Sequence, residues 1–337
     1  MATAFSPASA STLSAPTPKQ ITDAEVKGFV DNGFHVGEGL ISAAELEELK
    51  TDMVKLARGG YPCKSLQPLP AAMTDREILE NILCLHQPHF LSPVMRKFAE
   101  HPLICSMLSR ITAAHLPHWD GSVKCMQTML FVKPPGKQGQ AWHQDERYIP
   151  TRDRSLIGAW IAIDDATIEN GCLWVVPGSQ QSGYLFPTKD HGQPHEYDSS
   201  DMAIGFDDTK AVPVEVKAGS VVFFNGYLLH KSLKNRSQIF RRALVSHYMN
   251  AWSLLPWYET DTPKGRTSIG LADARGVIQV AGTDPYAWKG YEKLGDDVYL
   301  RSFAKEGETL AVTPGGDPAK EKFNADAKVQ VKEPVKV

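Results

Sequence analysis

The sequence contains no run of about 18 apolar residues, which is the length that a membrane-spanning helix requires. Lys and Arg number 36 against 39 Asp and Glu, so the net charge at pH 7 is -3. This balance provides no broad basic surface, and neither nucleic acid nor an anionic membrane is an expected partner. The five cysteines include no Cys-x-x-Cys pair. That absence disfavours a cysteine zinc site and favours reduced thiols in an intracellular, cytoplasmic protein.

The chain also lacks an internal repeat and a recognisable linker between two cores, and 337 residues suit one large domain. Residues 1–20 are rich in Ala, Ser, Thr and Pro and lack the apolar segment of a secretory signal. We expect them to form a disordered tail. Residues 303–337 mix Lys, Glu, Gly and Pro with few large apolar residues, and we expect a loosely ordered tail there. The single domain is therefore predicted over residues 21–302.

Helical patterns dominate the first part of this domain, about residues 21–115. From about residue 122 to residue 250 the pattern changes to short β-branched and aromatic runs separated by Gly, Pro and Asn. Short strands without helices between them predict an antiparallel sandwich or barrel. The expected fold class is α+β, with N-terminal helices flanking a jelly-roll β core. Three capping-box patterns mark expected helix starts: Thr22 with Glu25, Ser42 with Glu45, and Thr74 with Glu77.

A candidate metal site occurs in AWHQDERYIP, where His143 and Asp145 stand two residues apart. In a strand such residues point to one face and can chelate one ion. Chance alone predicts roughly 0.7 His-x-Asp triplets in this chain, and a second one occurs at His118 and Asp120. A third ligand is expected from His230, which ends the apolar run GSVVFFNGYLLH. Two His and one carboxylate on one side of an iron leave the opposite positions open, as in non-haem Fe(II) oxygenases.

A candidate anion site follows His230 along the chain. Arg241 opens the run RRALVSHYM, in which strand alternation places Arg241 and His247 on one face with apolar side chains between them. A guanidinium in such surroundings requires a carboxylate, which it can bind through two parallel hydrogen bonds. A dicarboxylate cosubstrate that chelates the iron at one end and meets Arg241 at the other would satisfy both sites. The competing interpretation is a structural salt bridge from Arg241 to Glu215 or Asp165.

Three segments resemble the phytanoyl-CoA dioxygenase family of Fe(II)- and 2-oxoglutarate-dependent oxygenases, and within it the domain-containing protein 1 type. They are WHQDERYIP, WIAIDDATIENGCLWVVPGS and LLHKSLKNRSQIFRRALVSHY. The resemblance is dense from about residue 125 to residue 249 and weaker over residues 20–115. The second segment is a long match and far more specific than any triplet. The resemblance implies a double-stranded β-helix of jelly-roll type, in agreement with the strand pattern.

The resemblance also implies roles for individual residues. The iron ligands fall on His143, Asp145 and His230. Arg241 would bind the far carboxylate of 2-oxoglutarate, helped by Ser232. Trp160 and Gln127 would line the cosubstrate pocket. The implied reactants are Fe(II), 2-oxoglutarate and O₂, with ascorbate as a stimulant. Two departures stand out, because Gln180 replaces a common family histidine and no lysine near LCLHQPHF matches a family lysine that contacts 2-oxoglutarate.

The expected activity is hydroxylation, or another oxidation, of a C–H bond in a small-molecule substrate with release of succinate and CO₂. Asp145 stands where related halogenases carry a small residue, which favours hydroxylation over halogenation. An acyl-CoA and a secondary metabolite remain alternative substrates. Two other functions also remain open: a non-catalytic metabolite-binding protein on the same fold, and a cupin-like metalloenzyme that uses iron without 2-oxoglutarate.

Several of the same side chains have purely structural interpretations. The second triplet is expected in an entry turn, with Asp120 hydrogen-bonding its own backbone. His86 and His89 either reach the substrate or lie on a surface loop. His247 is expected to be a hydrogen-bonded core histidine. Arg242 is expected to face away from Arg241 and to stay solvated.

Overall fold

The computed structural model describes residues 21–63, 69–151, 153–253, 277–287 and 299–302. The two expected tails, residues 1–20 and 303–337, lie outside the described residues. Within the described ranges, five α-helices occupy the N-terminal part: α1 (Asp23–Asn32), α2 (Ala43–Ala57), α3 (Asp75–Asn81), α4 (Pro93–Ala99) and α5 (Pro102–Ile111).

Local sequence signals set the ends of these helices. The side chains of Thr22, Ser42 and Thr74 each accept a hydrogen bond from the backbone N–H three residues on, and the glutamate at that position accepts one in return. All three predicted capping boxes are therefore present. Helix α1 ends at Gly33, whose φ of 82° is the left-handed conformation that glycine adopts most readily. Helices α4 and α5 each carry proline in the first turn, where its missing N–H costs no hydrogen bond.

The strands fall mainly in the second part of the chain, and every pair is antiparallel. Two short 3₁₀ helices, Pro88–Phe90 and Asp145–Arg147, interrupt them. The described strands are β1 (Phe34–Gly37), β2 (Ile82–His86), β3 (Val123–Lys133), β4 (Gln140–His143), β5 (Ile157–Ala162), β6 (Leu173–Val175), β7 (Thr188–Lys189), β8 (Met202–Ala203), β9 (Val212–Val214), β10 (Val221–Asn225), β11 (His230–Ser232), β12 (Arg241–Asn250), β13 (Ile278–Ala281) and β14 (Tyr299–Ser302).

These strands form a large sheet of eight strands and a small sheet of four. The order in the large sheet is β1-β10-β5-β12-β3-β2-β14, and β13 also pairs with β3. The order in the small sheet is β4-β11-β6-β9, while β7 and β8 form a separate two-stranded ribbon. Strands β3 to β12 all lie between residues 122 and 250, where the sequence predicts the β core.

The large sheet has two apolar faces, and each is covered by a different layer. On one face Tyr248 belongs to the same buried cluster as Phe98 of helix α4. On the other face Trp160 and Val245 pack in one cluster with Val175 of the small sheet. Alternate residues of β5 and β12 therefore point to the helices and to the small sheet in turn, as the pleat of a strand requires. This helix–sheet–sheet arrangement is the expected α+β architecture, and the space between the two sheets contains the candidate site.

Candidate metal centre

Two histidines of the candidate site face each other across neighbouring strands. His143 ends β4 and His230 begins β11, and they are direct partners in the small sheet. Their ring centroids lie 4.0 Å apart. The ring of His230 is also 4.7 Å from that of Phe224, which belongs to the core between the sheets. Because direct cross-strand partners share a face, both imidazoles project into the space between the two sheets.

Asp145 reaches the same place by a turn. Strand β4 ends at His143, and Asp145 begins the 3₁₀ helix, so the prediction that the two residues share a strand face was wrong. The N–H groups of Tyr148 and Ile149 donate to the Asp145 carbonyl and close this turn. The carboxylate Oδ1 of Asp145 lies 3.5 Å from His143 Nε2 and 3.6 Å from His230 Nε2. One ligand atom from each of the three side chains lies within 4.8 Å of the others, which is close enough to surround one metal ion.

Backbone carbonyls orient both imidazole rings. Nδ1 of His143 is 2.8 Å from the Ala141 carbonyl, and Nδ1 of His230 is 2.9 Å from the Leu228 carbonyl. A carbonyl oxygen only accepts, so in the neutral rings each Nδ1 carries the hydrogen and each Nε2 keeps its lone pair. Metal-bound histidines commonly donate their second ring N–H to such a partner, which fixes the tautomer.

A fourth side chain, His247 of β12, contacts the same carboxylate. Its Nε2 lies 3.0 Å from Asp145 Oδ2, while Oδ1 faces His143 and His230. Its Nδ1 is buried without a hydrogen-bond partner among the described residues. The sequence predicts a hydrogen-bonded core histidine, and the structure adds the partner, which lies 102 residues away in the chain.

The electrostatics of this cluster follow from burial and from mutual contact. Burial raises the pKa of Asp145, but His230, His143 and His247 outweigh it and hold that pKa well below its ordinary value. Burial lowers the pKa of His143, yet the hydrogen bond and charge of Asp145 raise it above the usual range. Burial and the charge of His143 lower the pKa of His230 to about 4. The cluster therefore contains the ionised carboxylate of Asp145 and the neutral imidazole of His230. His143, when protonated, must release its proton to an incoming cation.

A buried guanidinium occupies the other end of the space between the sheets. Arg241 begins β12 and is 4% exposed, and the pleat points it to the same side as His247, as predicted. Within the described residues no carboxylate pairs with Arg241, and its Nε has no hydrogen-bond partner. The partners considered from the sequence are engaged elsewhere, because Asp165 pairs with Lys217 at 2.8 Å and Glu215 accepts a backbone N–H.

The remaining predicted pocket residues lie on the strands around these groups. The ring centroid of Trp160 is 5.5 Å from the guanidinium carbon of Arg241. Gln127 is the direct partner of His247 in the ladder between β3 and β12. Ser232 lies on β11, two residues beyond the histidine of that strand. The structure thus places every predicted site residue on strands that border the space between the sheets, or on the turn beside it.

Comparison with known proteins assigns the chain to a family. Residues 29–243 match the family model described as Phytanoyl-CoA dioxygenase (PhyH). The chain belongs to the phytanoyl-CoA dioxygenase family. It is 33% identical over 290 residues to Phytanoyl-CoA dioxygenase 1 of Oryza sativa subsp. japonica, covering 74% of this chain and 97% of that protein. It is 30% identical over 301 residues to Phytanoyl-CoA dioxygenase domain-containing protein 1 of Danio rerio, and this match covers 71% of this chain and 95% of that protein. The expected family is confirmed, and this family member is an enzyme of the dioxygenase class.

A solved structure carries the same fold as this family member. The crystal structure of EvdO2 from Micromonospora carbonacea var. aurantiaca, complexed with 2-oxoglutarate, matches with a TM-score of 0.52 and 19% identity. The match covers 82% of this chain and 99% of EvdO2. The likeness confirms the expected jelly-roll core. Among the described helices of the chain, none combines the length and the apolar character that crossing a bilayer requires.

The two departures from the family pattern have structural explanations. Gln180 donates through Nε2 to the Val30 carbonyl at 2.9 Å, so its amide holds the end of helix α1. A lysine does lie beside Arg241, but it is Lys133 at the end of β3 and does not come from the helical part. Sequence reasoning missed Lys133, although its place directly before two prolines marks the end of a strand.

Three of the structural interpretations are resolved as well. Asp120 accepts the N–H two residues on, as predicted for an entry turn. Arg242 does face away from the pocket, but it is 16% exposed and pairs with Asp164 at 2.6 Å, so the expectation of a solvated side chain was wrong. His86 ends β2 and His89 is 2% exposed, which rules out a surface loop for both.

Proposed function

We propose that this family member is an Fe(II)- and 2-oxoglutarate-dependent oxygenase that hydroxylates a C–H bond of a small molecule, with release of succinate and CO₂. One observation carries the proposal. Two buried imidazoles and one partly exposed carboxylate share the space between the sheets with a buried arginine, which pairs with no carboxylate among the described residues. Each of these features fits one of the two groups that such an oxygenase binds.

The donor set fits ferrous iron. His143, Asp145 and His230 offer two nitrogen atoms and one oxygen atom, all within 4.8 Å of one another. Three protein ligands on one side of the ion leave positions for other molecules, which is the ligand set of non-haem Fe(II) oxygenases. The carbonyls behind the two histidines and His247 behind Asp145 hold the donors ready, so binding requires little rearrangement.

The buried arginine fits the far carboxylate of 2-oxoglutarate. A guanidinium at 4% exposure without an anionic partner is costly to maintain unless a ligand supplies the anion. We infer that Arg241 binds that carboxylate and that Ser232, Trp160 and Gln127 complete the pocket. The likeness to EvdO2, whose structure contains 2-oxoglutarate, supports this assignment.

The bound iron and 2-oxoglutarate would supply the reduction of O₂ coupled to oxidative decarboxylation of the cosubstrate. The residues of the chain provide orientation and exclusion of water. Arg241 would hold the far end of the cosubstrate, and Asp145, whose carboxylate His247 orients, would hold the metal. Trp160 and the apolar core between the sheets exclude water from the reacting groups. Because Asp145 occupies the third ligand position, we propose hydroxylation over halogenation. An acyl-CoA and a secondary metabolite both fit a small-molecule substrate.

The test compares two neighbouring arginines on opposite faces of β12. Wild-type protein supplied with Fe(II), 2-oxoglutarate and O₂ is expected to form succinate, which is measured directly. A substrate found by screening should accelerate succinate formation. Arg241→Gln is expected to lower succinate formation at least about a hundredfold, because a charged pair is lost from a buried site, while retaining iron. Arg242→Gln, on the opposite face of β12, serves as the matched control and should retain the activity.

Other outcomes separate the competing functions. Binding of 2-oxoglutarate without succinate formation across the screen would indicate a metabolite-binding protein. Iron-dependent turnover of a substrate that continues unchanged in Arg241→Gln would indicate a metalloenzyme that does not use 2-oxoglutarate. Absence of iron from the three-residue site in protein loaded anaerobically would contradict the proposal itself.

We further propose an intracellular location. Cys105, Cys125 and Cys172 are free and buried. Burial raises the pKa of Cys105 to about 12 and that of Cys172 to about 11, so these thiols stay protonated and unreactive. Free, buried thiols such as these three suit a reducing compartment.

A further inference from the structure

A second buried cation lies beside Arg241. Lys133 ends β3, is 5% exposed, and is the direct partner of Arg241 in the antiparallel ladder. Directly opposed residues share a face of the sheet, and like charges in that position repel each other. Within the described residues no carboxylate forms an ion pair with either side chain. Two adjacent buried cations therefore require an anion between or beside them.

The ammonium group of Lys133 connects the two sheets. Its Nζ donates to Ser232 Oγ at 2.9 Å, to the Leu233 carbonyl at 2.6 Å and to the Gly171 carbonyl at 3.4 Å. An ammonium has three hydrogens, so these three acceptors use all of them. Lys133 is thereby held in one position, and it has no hydrogen left to donate to a ligand.

Ser232 receives a second hydrogen bond, from the backbone N–H of Gln140 at 3.2 Å. A hydroxyl group accepts two hydrogen bonds and donates one. Lys133 and Gln140 thus occupy both acceptor positions of Ser232 Oγ. The hydroxyl hydrogen has no acceptor among the described residues, so this side chain remains available as a donor only.

We propose that Lys133 is a positioning residue, which turns the Ser232 hydroxyl into an obligatory donor to the far carboxylate that Arg241 binds. The inference rests on the proposed function and adds a residue to it. Lys133 acts through Ser232, and it does not itself contact the cosubstrate. A purely structural lysine, which only ties β3 to β11, would affect every ligand of the site equally.

The protonation state of Lys133 is linked to the bound anion. Burial, followed by the charge of Arg241, lowers the pKa of Lys133 well below its ordinary value, while Asp198, Cys172 and Glu196 act in the opposite direction. A carboxylate bound next to both cations favours the charged form of Lys133. The charged ammonium has three hydrogens, and Ser232 Oγ accepts one of them. A neutral amine has only two hydrogens and a lone pair, and the Ser232 hydroxyl could then donate to that lone pair instead of to the ligand.

The experiment measures binding without turnover. Protein loaded with Fe(II) under anaerobic conditions is titrated in a calorimeter with 2-oxoglutarate and, separately, with pyruvate. Pyruvate shares the oxo-acid end that faces the metal and lacks the far carboxylate. Lys133→Met and Ser232→Ala are each expected to raise the Kd for 2-oxoglutarate about tenfold and to leave the Kd for pyruvate unchanged. Lys217→Met, at an exposed lysine paired with Asp165, is the control.

The double variant tests whether Lys133 acts through Ser232. If it does, Lys133→Met combined with Ser232→Ala should weaken 2-oxoglutarate binding by about the same factor as either change alone, whereas independent effects would multiply to about a hundredfold. Equal weakening of pyruvate and 2-oxoglutarate by Lys133→Met would indicate a structural role and overturn the proposal. Wild-type protein that binds no 2-oxoglutarate would contradict the proposed function, which is a different result.

Folding of the variants is checked by thermal unfolding. Should Lys133→Met fail to fold, Lys133→Gln keeps a polar group of shorter reach and is expected to show the same selective loss. Ser232→Ala provides a further measurement that leaves Lys133 in place. An unchanged Kd for 2-oxoglutarate in folded Ser232→Ala would overturn the proposal without any lysine variant.

Discussion

At the residue scale, the orientation of Asp145 depends on His247, a side chain from the opposite sheet. We expect His247→Leu to weaken Fe(II) binding by about 10- to 100-fold, because partners behind a metal ligand contribute affinity of that order. The measurement is anaerobic calorimetry with Fe(II). His115→Leu is the control, since Nε2 of that exposed histidine lies 2.8 Å from the Asp153 carbonyl and not at Asp145. Equal Fe(II) affinity in His247→Leu and wild type would show that Asp145 needs no such support.

The raised pKa of His143 predicts how metal binding depends on pH. Asp145 keeps a proton on His143 to higher pH than the ordinary value of 6.5, and the metal must displace that proton. Fe(II) affinity should therefore rise about tenfold per pH unit below the pKa of His143 and become constant above it. Anaerobic calorimetry in buffers of different ionisation enthalpy counts the proton released. Affinity that stays constant over the neutral range would contradict the assigned protonation of His143.

The raised pKa of His143 has the opposite effect on the stability of the metal-free protein, which is greater at low pH than at high pH. A group whose pKa is raised by folding contributes stability that is complete below its unfolded pKa and is lost as the pH rises through the folded value. The contact between protonated His143 and Asp145 thus stabilises the metal-free protein on the acid side, at and below about pH 6.5. Metal binding removes this contribution and replaces it with coordination of both side chains.

At the scale of elements, the end of helix α1 is fixed by glycine. Gly33 has φ of 82°, and a Cβ added there would lie 2.4 Å from Oε1 of Gln180. Gly33→Ala is expected to lower the free energy of unfolding by about 1 to 2 kcal/mol or more. Gly28→Ala in the same helix meets no atom within 4 Å and should raise it by about 0.5 to 1 kcal/mol. Urea unfolding of both variants measures the difference, and equal effects would contradict the assigned helix end.

Elements with local signals were predictable, and those defined by distant contacts were not. The capping boxes at Thr22, Ser42 and Thr74 place helix starts within the residues that form them. Strand β2 has no comparable signal, because ILCLH follows helix α3 directly and all five of its residues are buried. A continuous apolar run of that length fits a strand or the end of a helix equally well.

The candidate site divides in the same way. Spacing and family likeness predict His143, Asp145, His230 and Arg241 as site residues, and the structure brings the first three together. The turn that carries Asp145 was not predicted, because the tripeptide spacing fits a strand as well as a 3₁₀ helix. The contact of His247 with Asp145 joins residues far apart in the chain, and so does that of Lys133 with Ser232. Such contacts depend on the packing of two sheets, which a linear pattern does not specify.

At the scale of the whole molecule, the site exists only when the two sheets pack together. The small sheet and the turn after β4 supply the three proposed metal donors, while the large sheet supplies Arg241 and His247. The helices cover the opposite face of the large sheet and hold it in place through a separate core. Each ligand therefore binds the folded state alone, and binding must add to the global stability of the chain.

This linkage predicts two separable increments in thermal stability under anaerobic conditions. Fe(II) at about 100 times its Kd should stabilise the protein by about 2.7 kcal/mol, or roughly 5 to 10 °C in Tm for a domain of this size. Adding 2-oxoglutarate at a similar excess should raise Tm again. Arg241→Gln should keep the first increment and lose most of the second, because only the second ligand meets that arginine. Scanning calorimetry measures both steps, and a variant that loses the iron increment instead would place Arg241 at the metal rather than at the far carboxylate.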